Sequence, residues 1–287
     1  MLTQLAQTPS PYLELTKPRI NAMVLVTTAL GYVLAGGRGG GLILFTLAGT
    51  ACAAGGAAVL NHYLERDADA AMRRTRRRPL PSGRIRPSSA MSFGLLLILA
   101  GLVLLVARVN LLTAFLALLT AFLYVVVYTP MKRLTWLNTT LGAIPGALPP
   151  VGGWAAATGH LDLGAWALFA ILFAWQHPHF YAIAWIFRED YGRGGFRMLP
   201  LMEEDGRRTG RHIVVFTVLL VAVSLLPTAL GLSGRVYLGG AVILGLGFLA
   251  ASLSLALTRT ALSARRVLRA SIVYLPLLLA LTLYDLA

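Results

Sequence analysis

The chain alternates between long apolar runs and short polar segments rich in arginine. Nine runs are long enough for a helix to cross about 30 Å of hydrocarbon, which takes roughly 20 residues. They lie near residues 20–36, 41–60, 89–107, 110–128, 137–158, 163–187, 212–232, 235–258 and 268–286. The period-two alternation of a membrane β-barrel is not found, and helices satisfy their own backbone hydrogen bonds within lipid. The pattern therefore predicts an all-α, polytopic membrane protein.

Composition and charge indicate how the chain sits in the bilayer. Of 287 residues, 57% are hydrophobic and 13% are charged, which is more apolar surface than a soluble core buries. A net charge of +14 would suggest nucleic acid in a soluble protein, but here the basic residues lie between apolar runs, so no nucleic-acid partner is expected. If the N-terminus is cytoplasmic, only Arg38, Arg108 and Arg235 of 25 basic residues lie outside. The positive-inside rule predicts a multi-pass protein of the cell (inner) membrane with its C-terminus outside.

The segment after the second run combines hard oxygen ligands with arginines. If the second helix continues beyond the membrane, Asn61, Glu65 and Asp69 lie on one face at a spacing of four residues. Arg73 follows at the same spacing. An amide and two carboxylates suit Mg²⁺, which bridges to substrate phosphates, and the arginines of 73–78 suit phosphate oxygens. The pattern indicates a metal–diphosphate site; the alternative is a solvated loop whose charges only set topology.

A second polar segment follows the sixth run and is predicted to lie on the same face. In it, Arg188, Glu189 and Asp190 again combine carboxylates with arginine, which suits a second cation or the other side of one diphosphate. The two long inside segments, 61–88 and 188–211, hold eight of the eleven acidic residues. We therefore expect them to meet at one site.

Five further residues carry polar groups in or beside apolar runs. Lys17 precedes the first helix, and Tyr128 and Lys132 end the fourth; they are either substrate contacts or interfacial anchors. His177 and His179 lie inside the sixth run, where polar groups face a cavity or the bundle interior. Such a histidine ligates haem iron, transfers a proton, or is a hydrogen-bonded core residue.

The fifth run contains prolines that interrupt a helix. Pro145, Pro149 and Pro150 predict a kinked or broken segment. Irregular backbone at membrane depth must face protein or a cavity. The pattern fits two interpretations: the segment forms a cavity wall, or it is only tightly packed.

Taken together, these motifs resemble the UbiA superfamily of intramembrane prenyltransferases, over roughly residues 12–287. Within it the likeness is to the haem-farnesylating members, on the stretches Asn61 through Pro79, Tyr128 to Lys132, Asn138 through Trp154, Trp175-Gln176 with Pro178-His179-Phe180, and Arg188 through Pro200. The resemblance implies one domain over residues 1–287, a nine-helix bundle around a central cavity within membrane lipid. It implies that Mg²⁺ and farnesyl diphosphate are used to prenylate a vinyl group of haem B, giving haem O. A haem A synthase is the candidate receiver of the product.

The resemblance also assigns roles by position. Asn61, Glu65 and Asp69 would hold magnesium and diphosphate with Asp67 nearby, and Asp190 with Glu189 would form a second acidic metal site. Asn61, Glu65, Asp69 and Asp190 would thereby carry the catalysis. The phosphate contacts would be Arg73, Arg77, Lys132 and Arg188. His179 would face the haem because it is the histidine of the Pro-His-Phe element.

Two positions depart from the superfamily pattern. Glu65 stands where an aspartate is usual, and the second motif offers only the adjacent pair Glu189-Asp190 in place of two aspartates four residues apart. Two other functions are weighed against haem farnesylation. One is prenyl transfer to a quinone precursor or another aromatic acceptor, and the other is a transporter or channel without chemistry, which explains broken helices but not the clustered carboxylates and arginines.

Overall fold

The computed structural model describes residues 10–286, which fold almost entirely into helices. In chain order they are α1 (Pro11–Leu15), α2 (Pro18–Leu34), α3 (Gly40–Ala71), α4 (Pro87–Arg108), α5 (Leu111–Phe122), α6 (Thr129–Leu134), α7 (Asn138–Ala147), α8 (Pro149–Thr158), α9 (Leu163–Ile186), α10 (Arg188–Arg193), α11 (Arg207–Val223), α12 (Leu226–Ala229), α13 (Arg235–Thr258) and α14 (Ala261–Tyr284). Each of the nine predicted runs corresponds to one of these helices or to a consecutive pair. The all-α prediction is confirmed.

Six spans in the described part are long and apolar enough to cross a membrane. The other three runs fall short for different reasons. Helix α2 has 17 residues, the α7–α8 pair is divided at Leu148, and α9 carries Gln176, His177 and His179 within its apolar sequence. The interruption between α7 and α8 agrees with the prediction from the prolines, because Pro149 cannot donate the backbone hydrogen bond that would continue the helix.

Two helices differ from a simple membrane span near the polar end of the bundle. Helix α3 continues through residues 61–71, as the spacing of its polar residues predicts. Between α5 and α6 the chain forms a π-helical segment, Leu123–Tyr128, which was not predicted. There the Thr129 hydroxyl donates to the Tyr124 carbonyl at 2.8 Å, just before Pro130, which has no N–H. This segment packs against α3.

The core is built around α9, which packs on both sides. One buried cluster joins α9 to α11, α13 and α14 and contains Tyr181, Phe248 and Tyr274. A second joins α9 to α2, α5, α8 and α14 around Trp154 and Leu168. Helix α9 thus connects the two halves of the bundle, and its polar residues lie where those halves meet.

Glycines allow the N-terminal helices to approach backbone to backbone. A Cβ atom at Gly153 of α8 would lie 1.9 Å from the Thr28 carbonyl oxygen of α2, and one at Gly31 of α2 would lie 2.0 Å from the Pro150 carbonyl oxygen. Such contact is possible only without side chains. The α2–α8 crossing therefore depends on both glycines, and it places the broken α7–α8 segment beside α2.

We expect Gly153→Ala to destabilise the protein by about 1–3 kcal/mol, because overpacking against a backbone atom forces the helices apart. The neighbouring Gly152→Ala is the matched control, since a Cβ there meets nothing within 4 Å. Thermal unfolding in detergent is the measurement. Equal unfolding temperatures for the two variants would show that α2 and α8 can move apart without loss of stability.

Candidate active site

Three oxygen-bearing side chains lie buried along one face of α3. Asn61, Glu65 and Asp69 are 0%, 7% and 1% exposed, respectively. They fall at the four-residue spacing that brings side chains onto one helix face. Because α3 is continuous through Ala71, a rigid helix holds all three.

Each of these side chains faces a cation from another part of the chain. Lys17 Nζ lies 2.6 Å from Asn61 Oδ1, and Lys132 Nζ lies 2.7 Å from Glu65 Oε1. The Arg78 guanidinium contacts both Asp69 carboxylate oxygens, at 2.8 and 2.9 Å. Three cations and three oxygen ligands thus line one strip of the site, which we call the polar strip.

Lys17 reaches the polar strip through an unusual backbone conformation. Its φ of +50° places it in the left-handed region directly before Pro18, where α2 begins. Its ammonium group also donates to the Tyr124 hydroxyl at 3.3 Å. Desolvation lowers the pKa of Lys17 to about 7, and the nearby Lys132 charge acts in the same direction. An anion bound here would favour the charged form of Lys17.

Aromatic rings and hydrogen bonds hold the other members of the polar strip. Lys132 Nζ lies 4.6 Å from the centre of the Tyr128 ring and 5.7 Å from that of Phe196, a cation–π arrangement. Asn61 Nδ2 donates to Thr129 Oγ1 at 2.9 Å. The π-helical segment therefore serves the site, because it sets the positions of the groups at the start of α6.

The second acidic segment meets the first, as its position on the same face predicts. The Asp190 carboxylate accepts hydrogen bonds from the backbone N–H groups of Arg73 and Arg74, each at 3.3 Å. Asp190 thus binds the chain just beyond the end of α3. The Glu189 side chain is 84% exposed and has Arg193 4.0 Å away.

Several predicted residues lie away from the polar strip. Helix α3 ends at Ala71 and Met72 is extended, so the expectation that Arg73 continues the four-residue spacing is wrong. The chain turns back and brings Arg78 to Asp69 instead. Asp67 points outward, with a 79% exposed side chain beside Arg66.

Arg77 is also exposed, and its carbonyl accepts from Arg84. Arg73 and Arg188 line a separate recess of about 490 Å³, which we call the outer pocket. Its charged residues are Arg73, Arg188, Glu189, Asp190, Arg193 and Arg259. The phosphate role predicted for Arg73, Arg77 and Arg188 stays a prediction.

The donor set of the polar strip fits a hard cation shared with a ligand. Within residues 10–286, no three His, Cys, Asp or Glu side chains converge to hold a metal alone. Two carboxylates and the Asn61 amide are available, however, and such incomplete sets suit Mg²⁺, which takes remaining ligands from water and substrate phosphates. Glu65 Oε1 is buried, and the Lys132 ammonium group 2.7 Å away is its charged neighbour.

An apolar cavity of about 340 Å³ adjoins the polar strip. Of the polar strip, Lys17 and Lys132 line the cavity, and small residues of α3, α5 and α7 form much of its wall. Tyr124, Tyr128 and Phe180 supply aromatic faces. The broken α7–α8 segment lines this cavity through Pro145 and Pro149, so the cavity reading of the prolines is confirmed. The arrangement suits a ligand with an anionic head and an apolar tail.

The two histidines of α9 lie beside the cavity, and neither is part of its lining. His177 stacks on Phe216, with ring centres 3.5 Å apart, and contacts the Phe173 carbonyl and the Thr140 hydroxyl. His179 Nδ1 lies 2.8 Å from Ser271 Oγ. In place of a histidine, Gln176 reaches the cavity wall. The haem-facing role of His179 stays a prediction.

Some groups of the polar strip were not predicted, because only the tertiary structure brings them to it. Thr129 and Tyr124 join the polar strip through hydrogen bonds to Asn61 and Lys17. Arg78 was one of several equivalent arginines in the sequence. Its place before Pro79, at the end of the arginine run, was the one available signal, and it does not specify a contact.

Known proteins resemble this chain in sequence and in fold. Residues 24–281 match the UbiA prenyltransferase family. Protoheme IX farnesyltransferase of Solibacter usitatus is 49% identical over 96% of this chain and 98% of its own length. The protein of that name from Salinibacter ruber is also 49% identical, with the same coverage.

Two solved structures share the fold at low identity. Digeranylgeranylglyceryl phosphate synthase superimposes with a TM-score of 0.81 at 19% identity, covering 96% of this chain and 97% of that one. A UbiA homolog from Archaeoglobus fulgidus bound to DMAPP and Mg²⁺ gives 0.71 at 16% identity, covering 96% and 98%. The chain belongs to the UbiA prenyltransferase family, and its near relatives are protoheme IX farnesyltransferases.

Proposed function

We propose that this protein transfers a farnesyl group from farnesyl diphosphate to a vinyl group of haem B, giving haem O and diphosphate. The observation that carries the proposal is the polar strip beside an apolar cavity, which Lys17 and Lys132 of the strip line. A prenyl diphosphate has the matching shape, with an anionic head and an apolar tail. The acceptor follows from the relatives named protoheme IX farnesyltransferase.

The diphosphate head would lie against the polar strip. Asn61, Glu65 and Asp69 would hold Mg²⁺, which when bound neutralises charge on the departing diphosphate. The cations Lys17, Arg78 and Lys132 outnumber the carboxylates of Glu65 and Asp69, so an added anion is favoured. They donate hydrogen bonds to phosphate oxygens as negative charge develops there.

The cavity would hold the farnesyl chain and exclude water from the reacting carbon. When the allylic C–O bond breaks, the electron pair leaves with diphosphate and an allylic cation remains. The faces of Tyr124 and Tyr128 stabilise it as they do other cations. The terminal vinyl carbon of haem then bonds to the farnesyl carbon, and water adds to the neighbouring carbon with loss of a proton. No side-chain nucleophile is required.

The remaining parts of the proposal concern setting and partners. The asymmetry of basic residues supports a cytoplasmic N-terminus and an external C-terminus, which puts the polar strip on the cytoplasmic side. The whole chain acts as one intramembrane domain in lipid. Haem O then passes to a haem A synthase, and His179 contributes to haem binding from the α9–α14 interface.

A turnover assay with the purified protein in liposomes tests this function. Haem B, farnesyl diphosphate and Mg²⁺ are supplied, and products are identified by mass spectrometry with and without a chelator. We expect hydroxyethylfarnesyl haem only when the metal is available. Prenylation of a phenolic acceptor in its place would assign the protein to the quinone-directed members, and flux of substrate through liposomes without product would indicate a transporter.

A further inference from the structure

We infer that the outer pocket binds the two propionate carboxylates of the acceptor haem and thereby orients its vinyl edge toward the cavity. This inference rests on the proposed function and deepens it. The pocket is lined by four arginines, Arg73, Arg188, Arg193 and Arg259, and by two acidic residues, Glu189 and Asp190. It lies outside the cavity that suits the prenyl diphosphate.

The arginines of the outer pocket differ in whether a carboxylate of the chain already neutralises them. Arg193 lies 3.8 Å from Asp190 and 4.0 Å from Glu189. Within residues 10–286, the guanidinium groups of Arg73 and Arg188 have no carboxylate within 4 Å. Their guanidinium groups are therefore available to a ligand, and a guanidinium binds a carboxylate through two parallel hydrogen bonds.

Arg259 is held in the pocket by a conformation that non-glycine residues rarely adopt. Its φ is +51° at the turn between α13 and α14, and its guanidinium donates to the Asp205 carbonyl at 3.2 Å. In the described part of the chain, Lys17 is the only other non-glycine residue with positive φ. A left-handed residue is a common way for a helix to end, although glycine usually occupies the position. This conformation and the Asp205 contact together hold Arg259 beside the outer pocket.

The shape of the pocket matches one edge of a porphyrin. Trp185, Ile186 and Phe187 form an apolar wall beside the arginines, which suits a flat apolar ring that carries carboxylates along one edge. A free phosphate has no apolar part to pack against such a wall, and a phospholipid presents a single phosphate rather than paired carboxylates. The chemistry of paired carboxylates on an apolar ring therefore fits better than that of an isolated anion.

Helix α10 places the outer pocket next to the cavity. Asp190 lines the pocket and the following residue, Tyr191, lines the cavity. In haem B the vinyl groups lie on the half of the ring remote from the propionates. Binding the carboxylate edge in the outer pocket would therefore leave the vinyl edge free to face Tyr191 and the farnesyl carbon.

Esterified haem tests the inference directly. Equilibrium binding of haem B and of its dimethyl ester is followed by the Soret band in detergent, without farnesyl diphosphate. We expect the wild-type protein to bind the ester at least about tenfold more weakly. In an Arg188→Gln/Arg259→Gln variant, binding of haem B should weaken by a similar factor while binding of the ester stays unchanged. Arg266→Gln, an exposed arginine of α14 that lines neither recess, is the matched control.

Steady-state kinetics distinguishes a loss of haem binding in the pocket from a loss of fold. The double variant should raise the KM for haem B and leave the KM for farnesyl diphosphate unaltered. Equal binding of haem B and the ester by the wild-type protein would overturn the inference, as would displacement by phosphatidylglycerol vesicles without sensitivity to esterification. If no prenylated haem forms at all, the proposed function fails, whereas the binding comparison still decides whether the pocket recognises propionates.

Discussion

Asp69→Asn is expected to lower kcat by about a thousandfold or more. The substitution keeps the size of the side chain but removes a buried negative charge that would hold the metal and that fixes Arg78 by two contacts. A thousandfold loss corresponds to about 4 kcal/mol of transition-state stabilisation, the magnitude that one misplaced electrostatic group produces in a water-excluded site. The measurement is single-turnover formation of prenylated haem with saturating Mg²⁺ and both substrates.

The matched control lies two residues earlier on the same helix. Asp67→Asn makes the same chemical change at a side chain that is 79% exposed, and we expect activity within about twofold of wild type. Thermal unfolding of both variants identifies any loss of fold. If Asp69→Asn kept a tenth of the activity, or if Asp67→Asn were the more damaging change, the polar strip would not be where diphosphate departs.

The spacing of polar residues on α3 was sufficient to predict half of the polar strip. Asn61, Glu65 and Asp69 share one helix, so a local rule of geometry applies to them. Their cationic partners could not be predicted in the same way. Lys17 comes from the start of α2 and Lys132 from α6, and both contacts depend on how separate helices pack.

For the arginines of residues 73–78, helix geometry alone does not predict which one contacts Asp69. Residues 73, 74, 76, 77 and 78 are chemically alike, and the sequence distinguishes them only if the helix continues. Helix α3 stops at Ala71, and the turn is fixed by Asp190 binding the backbone of Arg73 and Arg74. A residue 117 positions along the chain therefore decides which arginine reaches Asp69. The predicted second acidic site takes on a structural role through this contact.

The polar strip and the outer pocket place positive charge in two different environments, and each environment suits a different ligand. The cations of the polar strip are half-buried and already paired with the buried ligands of α3, whereas those of the outer pocket are exposed and partly unpaired. A highly charged diphosphate with its metal requires the first setting, because buried charges interact more strongly. Carboxylates that bind and leave in each cycle suit the second, where solvent screens the interaction.

Lys132→Met should lower kcat/KM for farnesyl diphosphate by about a hundredfold. The methionine keeps much of the apolar stem, but the ammonium group beside Glu65 is lost. Hydrogen bonds to charged groups contribute about 1.5–3 kcal/mol, so the loss of one phosphate contact accounts for an effect of this size. Arg133→Met is the matched control, because Arg133 is the exposed neighbour. Steady-state kinetics with varied farnesyl diphosphate is the measurement.

A second substitution separates lost substrate binding from lost stability. Removing Lys132 leaves the buried Glu65 charge without its partner, which destabilises the fold, and adding Glu65→Gln removes that charge. We expect the double variant to recover the unfolding temperature of wild type without recovering kcat/KM, because neither the cation for diphosphate nor the carboxylate for the metal returns. Recovery of both quantities together would mean that Lys132 only balances Glu65, and the diphosphate would then have to be bound by Lys17 and Arg78 alone.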